Sequence, residues 1–270
     1  MRFYQAEETT AARKPADDLP ETQSVKNQLC KNEMRELHLF AGAGGGILGG
    51  MLLGHITVAA VEIEPYCQEV LRARQRDGIL PEFPIYGDIR EFDGRPWRGA
   101  VDIVAGGFPC QDISTAGKGE GINGEKSGLW REMHRVASEI RPEFVFVENS
   151  PELVRRGLAR IISDFARIGY GLRWVCLRCS SFGFNQERRR FYGLAHPLPR
   201  NEKLGWNIPR SWWLAKQATQ HLVRSPKSEP SMVGVVNGVA GRMDRLRAIG
   251  NGQVPAVAAT AFKILSEGLI

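Results

Sequence analysis

Between residues 36 and 195 short apolar runs alternate with amphipathic stretches, and few folds accommodate that alternation. Glu36–Phe40, Ile56–Glu62, Val101–Ala105 and Phe144–Glu148 read as buried strands. Pro65–Arg76, Ser127–Ile140 and Pro151–Ile168 read as helices. In the second of these Leu129, Met133, Val136 and Ile140 share one face. Leu172–Cys179 and Phe191–Ala195 look extended, and an Ala-rich helix is expected over Val254–Glu267. Strand–helix alternation with short connections predicts an α/β fold around a largely parallel sheet. Such sheets bind ligands beyond the carboxyl ends of their strands. The chemically notable motifs of this chain fall at those ends or in the loops after them.

The flanking segments are of another kind. Residues 1 to 33 are polar, mix charges and lack an apolar period, so they are expected to be a disordered leader, with order beginning at Met34. From 199 to about 240 Pro, Trp, Ser and Lys dominate. The expected organisation is therefore 1–33 leader, 34–198 catalytic domain, 199–240 small target-recognition region and 241–270 return to the catalytic domain. No apolar run is long enough for a transmembrane helix, and the N-terminus has no secretory pattern. Five cysteines without framework spacing fit a reduced, cytosolic chain. Cys176 and Cys179 form a lone C-x-x-C, which without a second pair is a weak zinc signal, and no metal is expected. The net charge of +6 suits a polyanionic partner without requiring one.

Several motifs carry candidate chemistry. LHLFAGAGGGILGG ends a strand in a turn containing Gly42, Gly44 and Gly45. Such a turn lets a ligand approach the backbone and the next helix N-terminus, or it is simply a tight strand–helix connection. Glu62 lies about 20 residues on, where a carboxylate can accept ribose hydroxyls or merely favour a helix start. Asp88 in GDI is another acid at a strand–loop junction; alone it reads as a turn residue. Cys110 follows a strand and Pro109, whose fixed φ aims the thiol, within a glycine-rich loop. A thiolate nucleophile needs an exposed, polarised position of this sort, although an isolated loop cysteine is usually inert.

HLFAGAGGG, EIEPY, GDI, GGFPCQDIS, FVENS, FNQERRR and GNGQVP occur here in order. That series resembles the motif series of the DNA cytosine-C5 methyltransferases, from about 36 to 195 and again from about 242 to 262. His38 stands where family members often carry Asp. The resemblance implies a doubly wound, mostly parallel, Rossmann-like S-adenosylmethionine-dependent methyltransferase fold with a small irregular target-recognition segment. It implies that Phe40, Gly42, Gly44, Gly45, Glu62, Asp88, Pro109 and Asn251 form the S-adenosylmethionine pocket. Cys110 would attack carbon 6 of cytosine, Glu148 would hold ring nitrogen 3, and Arg188 and Arg190 would orient the base and support Glu148. Gln186 would brace the turn, and the loop 111–126 would close as a lid over a flipped base.

The implied partner is double-stranded DNA, bound by a monomer in the cytoplasm and associated with the nucleoid through that DNA. Two alternatives remain: an RNA methyltransferase acting on tRNA, and a non-catalytic nucleic-acid-binding relative. The segment between QERRR and GNG is basic and aromatic, with Lys203, Trp206, Arg210, Trp212, Trp213, Lys216 and Arg224. These residues suit either phosphate and base contacts or a hydrophobic plug at the sheet edge.

Overall fold

The computed structural model describes residues 33–109, 128–185, 187–198, 244 and 252–270. The described residues all fall within one compact unit. Residues 1–32 of the expected leader, the loop 110–127 with Cys110, Gln186, the segment 199–240 and Asn251 lie outside the described residues.

Seven strands form one sheet: β1 (Arg35–Leu39), β2 (Ile56–Val61), β3 (Ile85–Tyr86), β4 (Ile103–Gly106), β5 (Phe144–Asn149), β6 (Tyr170–Arg178) and β7 (Arg189–Pro197). Their order is β3-β2-β1-β4-β5-β7-β6. The pairs among β1 to β5 are parallel, and β7 runs antiparallel to both β5 and β6. The crossovers are α1 (Gly45–Met51), α2 (Pro65–Arg76), α3 (Leu129–Ile140), α4 (Leu153–Arg156) and α5 (Leu158–Arg167); α6 (Pro255–Ser266) follows much later in the chain. This is the doubly wound, mostly parallel arrangement expected.

Helices cover both faces of the sheet. Leu37, Leu39, Val104, Val145 and Val147 share a core with Met133, Val136, Ile161 and Phe165. On the other face Ile103, Ala105, Phe144, Phe146 and Tyr192 pack with Val257, Ala261, Phe262 and Leu265 of α6. The one-in, one-out alternation of strand side chains produces this division. The expected helix Pro151–Ile168 is two helices, α4 and α5, meeting at Gly157, whose φ of −166° is extended. Among the described residues no helix is long and apolar enough to cross a membrane.

One polar cluster interrupts the second face. Glu36 is 4% exposed, and its oxygens lie 2.8 Å from His38 Nε2 and 2.7 Å from His55 Nδ1. Burial alone would raise the Glu36 carboxyl; the two imidazoles outweigh it and hold the group at about 2. A Cβ on Gly50 of α1 would meet Glu36 Oε2 at 1.9 Å. Gly50→Ala must therefore displace a buried, doubly bonded carboxylate. It is expected to cost about 1–3 kcal/mol, read as a lower melting temperature. An unchanged melting temperature would show that the cluster shifts freely.

Candidate active site

The carboxyl ends of β1, β2, β4 and β5 bring the candidate residues to one edge of the sheet. At the end of β1 the backbone turns sharply. Phe40 has a positive φ of 54°, uncommon for a residue with a Cβ and a mark of local strain. Gly44, at φ 90°, occupies the left-handed N-cap of α1. Gly45 is required for another reason: an added Cβ would sit 2.3 Å from the Gln253 carbonyl oxygen.

Glu62, at the end of β2, is 7% exposed. Its Oε2 accepts the Gly42 N–H at 2.7 Å and its Oε1 accepts the Glu64 N–H at 2.8 Å. The carboxylate thus fixes the glycine turn from across the sheet. Each oxygen uses one of its two lone-pair sites in doing so, leaving acceptor capacity toward the edge. Ile63, next in sequence, is 55% exposed and offers an apolar surface beside it. Asp88 follows β3 and engages the Arg90 guanidinium and backbone N–H. The Arg90 side chain and backbone bonds hold its carboxyl below the usual range.

Glu148, near the end of β5, is buried with 6% exposure. Arg190 of β7 reaches it, Nε to Oε1 at 3.0 Å. The antiparallel pairing of β5 with β7 places Tyr192 opposite Glu148 and Phe191 opposite Asn149, which brings the QERRR residues to this edge. Desolvation pushes the Glu148 carboxyl up to about 6, against the opposing pull of Arg190 and Arg188. Arg188 donates to the Gly252 carbonyl, tying the β7 entrance to the segment before α6. A Cβ on Gly107 would lie 2.6 Å from Glu148 Oε2 and one on Gly106 2.6 Å from the Leu39 carbonyl oxygen, so the glycine pair of GGFPC is held to glycine by the carboxylate and by the neighbouring strand.

Pro109 is the last described residue before the loop that carries Cys110. Its approach is fixed by Asn149, 2% exposed, whose Nδ2 donates to the Phe108 carbonyl at 2.9 Å while its Oδ1 accepts the Ser150 N–H. Phe108 packs near the Trp130 ring, with centroids 5.5 Å apart. Sequence reasoning singled out Glu148 of FVENS but missed Asn149 beside it. The signal available was a buried amide at a strand end, next to a loop that must be aimed. It also missed Gln253, which sits against Gly45, Gly46 and Gly107. Cys176 lies in β6 and Cys179 just beyond it, and burial raises both thiols. Among the described residues no group of His, Cys, Asp and Glu is arranged to hold a metal.

The sequence profile described as C-5 cytosine-specific DNA methylase matches residues 34–239. The chain belongs to that family. It is 33% identical over 162 residues to the Type II methyltransferase M.CviJI of Paramecium bursaria Chlorella virus IL3A, covering 60% of this chain and 42% of that protein. It is 33% identical over 183 residues to the Type II methyltransferase M.NgoMIV of Neisseria gonorrhoeae, covering 66% of this chain and 57% of that one. The chain thus spans about half the length of these relatives. The solved structure of the Entamoeba histolytica methyltransferase EhMeth superposes with a TM-score of 0.62 over 89% of this chain and all of that one, at 11% identity. That likeness concerns the fold. In this C-5 cytosine methylase chain the glycine turn, Glu62, Glu148 and Arg190 share one edge, and the cysteine loop departs from the same edge.

Proposed function

We propose that the chain transfers a methyl group from S-adenosylmethionine to carbon 5 of cytosine in duplex DNA, acting as a monomer through a covalent Cys110 adduct. The observation that carries this reading is the buried Glu148, ion-paired with Arg190 and set against the glycine pair that leads to Cys110. The half-length span relative to the Type II methyltransferases is compatible with it, because the family match over 34–239 holds the motifs from HLFAGAGGG to FNQERRR.

The residues of the first edge suit S-adenosylmethionine. The positive-φ turn from Phe40 to Gly44 exposes backbone, and Glu62 keeps acceptor capacity for vicinal hydroxyls. Ile63 presents apolar surface for a flat ring. Asp88, Pro109 and Asn251 would complete the pocket. When bound, the group supplies a methyl on a cationic sulfur, which needs no metal to be electrophilic.

The protein's own residues prepare the base. Carbon 5 of cytosine is a poor nucleophile. Addition of the Cys110 thiolate at carbon 6 breaks the 5,6 double bond and pushes electron density onto carbon 5 and toward nitrogen 3. Glu148, whose carboxyl burial raises to about 6 so that a fraction carries a proton near neutral pH, hydrogen-bonds or protonates nitrogen 3 and so stabilises that density. Arg190 holds Glu148 in place, and Arg188 secures the strand entrance. Once carbon 5 carries its new methyl, loss of its proton restores the double bond and releases Cys110 as thiolate. The base must leave the duplex stack for any of this to occur.

The test is transfer of labelled methyl groups to duplex DNA and, in parallel, to tRNA, followed by bisulfite mapping. Methylcytosine in duplex DNA, absent with Cys110→Ser, is the expected result. Methylation confined to tRNA, or none on either, would overturn the assignment.

A further inference from the structure

Gln253 is a half-buried residue that the chemistry above does not use. Its Oε1 is the one buried side-chain oxygen or nitrogen without a hydrogen-bond partner among the described residues. Its side chain lies against Gly46, where an added Cβ would be 3.4 Å from Oε1 and 3.5 Å from Nε2. Its Nε2 lies 3.6 Å from the Cβ position of Gly107, and Glu148 Oε2 lies 2.6 Å from that same point. A side chain at 107 would fill the gap between amide and carboxylate; glycine leaves it open. Gln253 also lines a cavity of about 10 Å³ together with Glu36, Gly46, Gly50, Ala105 and Phe146.

An orphaned buried acceptor is a cost that an apolar side chain of the same shape would remove. The Nε2 end and Glu148 Oε2 both border the space over Gly107, while Arg190 takes Oε1. We infer that Gln253 is a positioning residue for Glu148, its Nε2–H directed at Oε2 across Gly107, so that one segment holds both the glycine turn and the base-binding carboxylate. The inference deepens the methyltransferase reading and rests on it only for its catalytic meaning. The same segment is anchored to the base side a second time, through the Arg188 bond to Gly252.

Among the described residues the charged and titratable groups that act on Glu148 are Arg190, Arg188 and Tyr192, from β7 and its entrance. From the β4 side the described residue beside Glu148 Oε2 is uncharged Gly107. An N–H donor on that side favours the carboxylate form and opposes the burial that raises it.

The experiment is a carbon-13 carboxyl NMR titration of the full chain labelled in its glutamate side chains. The Glu148 signal is assigned by its loss in Glu148→Gln. Gln253→Met keeps the shape and removes the amide. The Glu148 midpoint should then rise by about 0.5 unit or more, with thermal stability unchanged or higher because the orphan is gone. Gln253→Asn, which withdraws the donor without removing it, should move the midpoint in the same direction and serves if the Met variant does not fold. A midpoint that stays or falls would overturn the inference and leave Gln253 as packing. The titration needs no turnover, so it can fail while methyl transfer to DNA succeeds, and the reverse.

Discussion

Glu148→Gln is expected to slow single-turnover methyl transfer by roughly 10²–10⁴-fold, because the amide can donate a hydrogen bond to nitrogen 3 but cannot give up a proton. The pH dependence identifies the cause. The Glu148 carboxyl sits at about 6 in the folded chain. The protonated fraction therefore falls as pH rises through that value. The ratio of wild-type to variant rate should be largest below about pH 6 and shrink above it, whatever the Cys110 thiolate does in both proteins. A ratio flat with pH would show that Glu148 acts by shape alone. Linkage gives a second readout. A carboxyl raised from 4.5 to about 6 contributes stability that is fully present below about 4.5 and is lost as pH climbs to about 6. Wild type should lose stability relative to Glu148→Gln across that window.

Gly45→Ala is expected to damage the cofactor edge more than any other single methyl group there. Its Cβ would stand 2.3 Å from the Gln253 carbonyl oxygen, a backbone atom that cannot rotate away. Relief requires the glycine turn or the segment before α6 to move. A cost of at least about 1–3 kcal/mol follows, or a fall of several degrees in melting temperature. S-adenosylmethionine affinity, measured by calorimetry, should fall with it. Gly42→Ala is the control: its φ is +55° but no atom lies within 4 Å of the added Cβ, so its cost is confined to about 1–2 kcal/mol of backbone strain. Equal effects from the two would contradict the steric account.

The sheet was legible because its signal is local. Buried parallel strands read as unbroken apolar runs, and β4 and β5 carry IVAG and FVFVEN. The β5–β7 antiparallel pairing was not legible, since register between distant strands leaves no periodic trace, yet it is what delivers Arg190 to Glu148. The break between α4 and α5 escaped because one extended residue at Gly157 barely disturbs an apolar count. The Glu36–His38–His55 cluster was hidden for a related reason. Two polar residues at alternate positions of a strand look like a solvent face, whereas here they share a closed space with α1 and α6. Glu62 and Glu148 were found through motif identity and strand ends. Asn149 and Gln253 act through contacts to a carbonyl and to glycine gaps, which only three dimensions reveal. Expectations for Cys110, Asn251 and the 199–240 segment concern residues outside those described.

The most direct test of the account is covalent trapping. The full chain is incubated with S-adenosylmethionine and duplex DNA bearing 5-fluorocytosine, whose carbon 5 cannot lose a proton, and the adduct is digested and sequenced by mass spectrometry. The account predicts a stable protein–DNA adduct on Cys110, formed by wild type and absent in Cys110→Ser. An adduct on Cys67, Cys176 or Cys179, or methylation of unmodified DNA with no adduct on the fluorinated duplex, would contradict it.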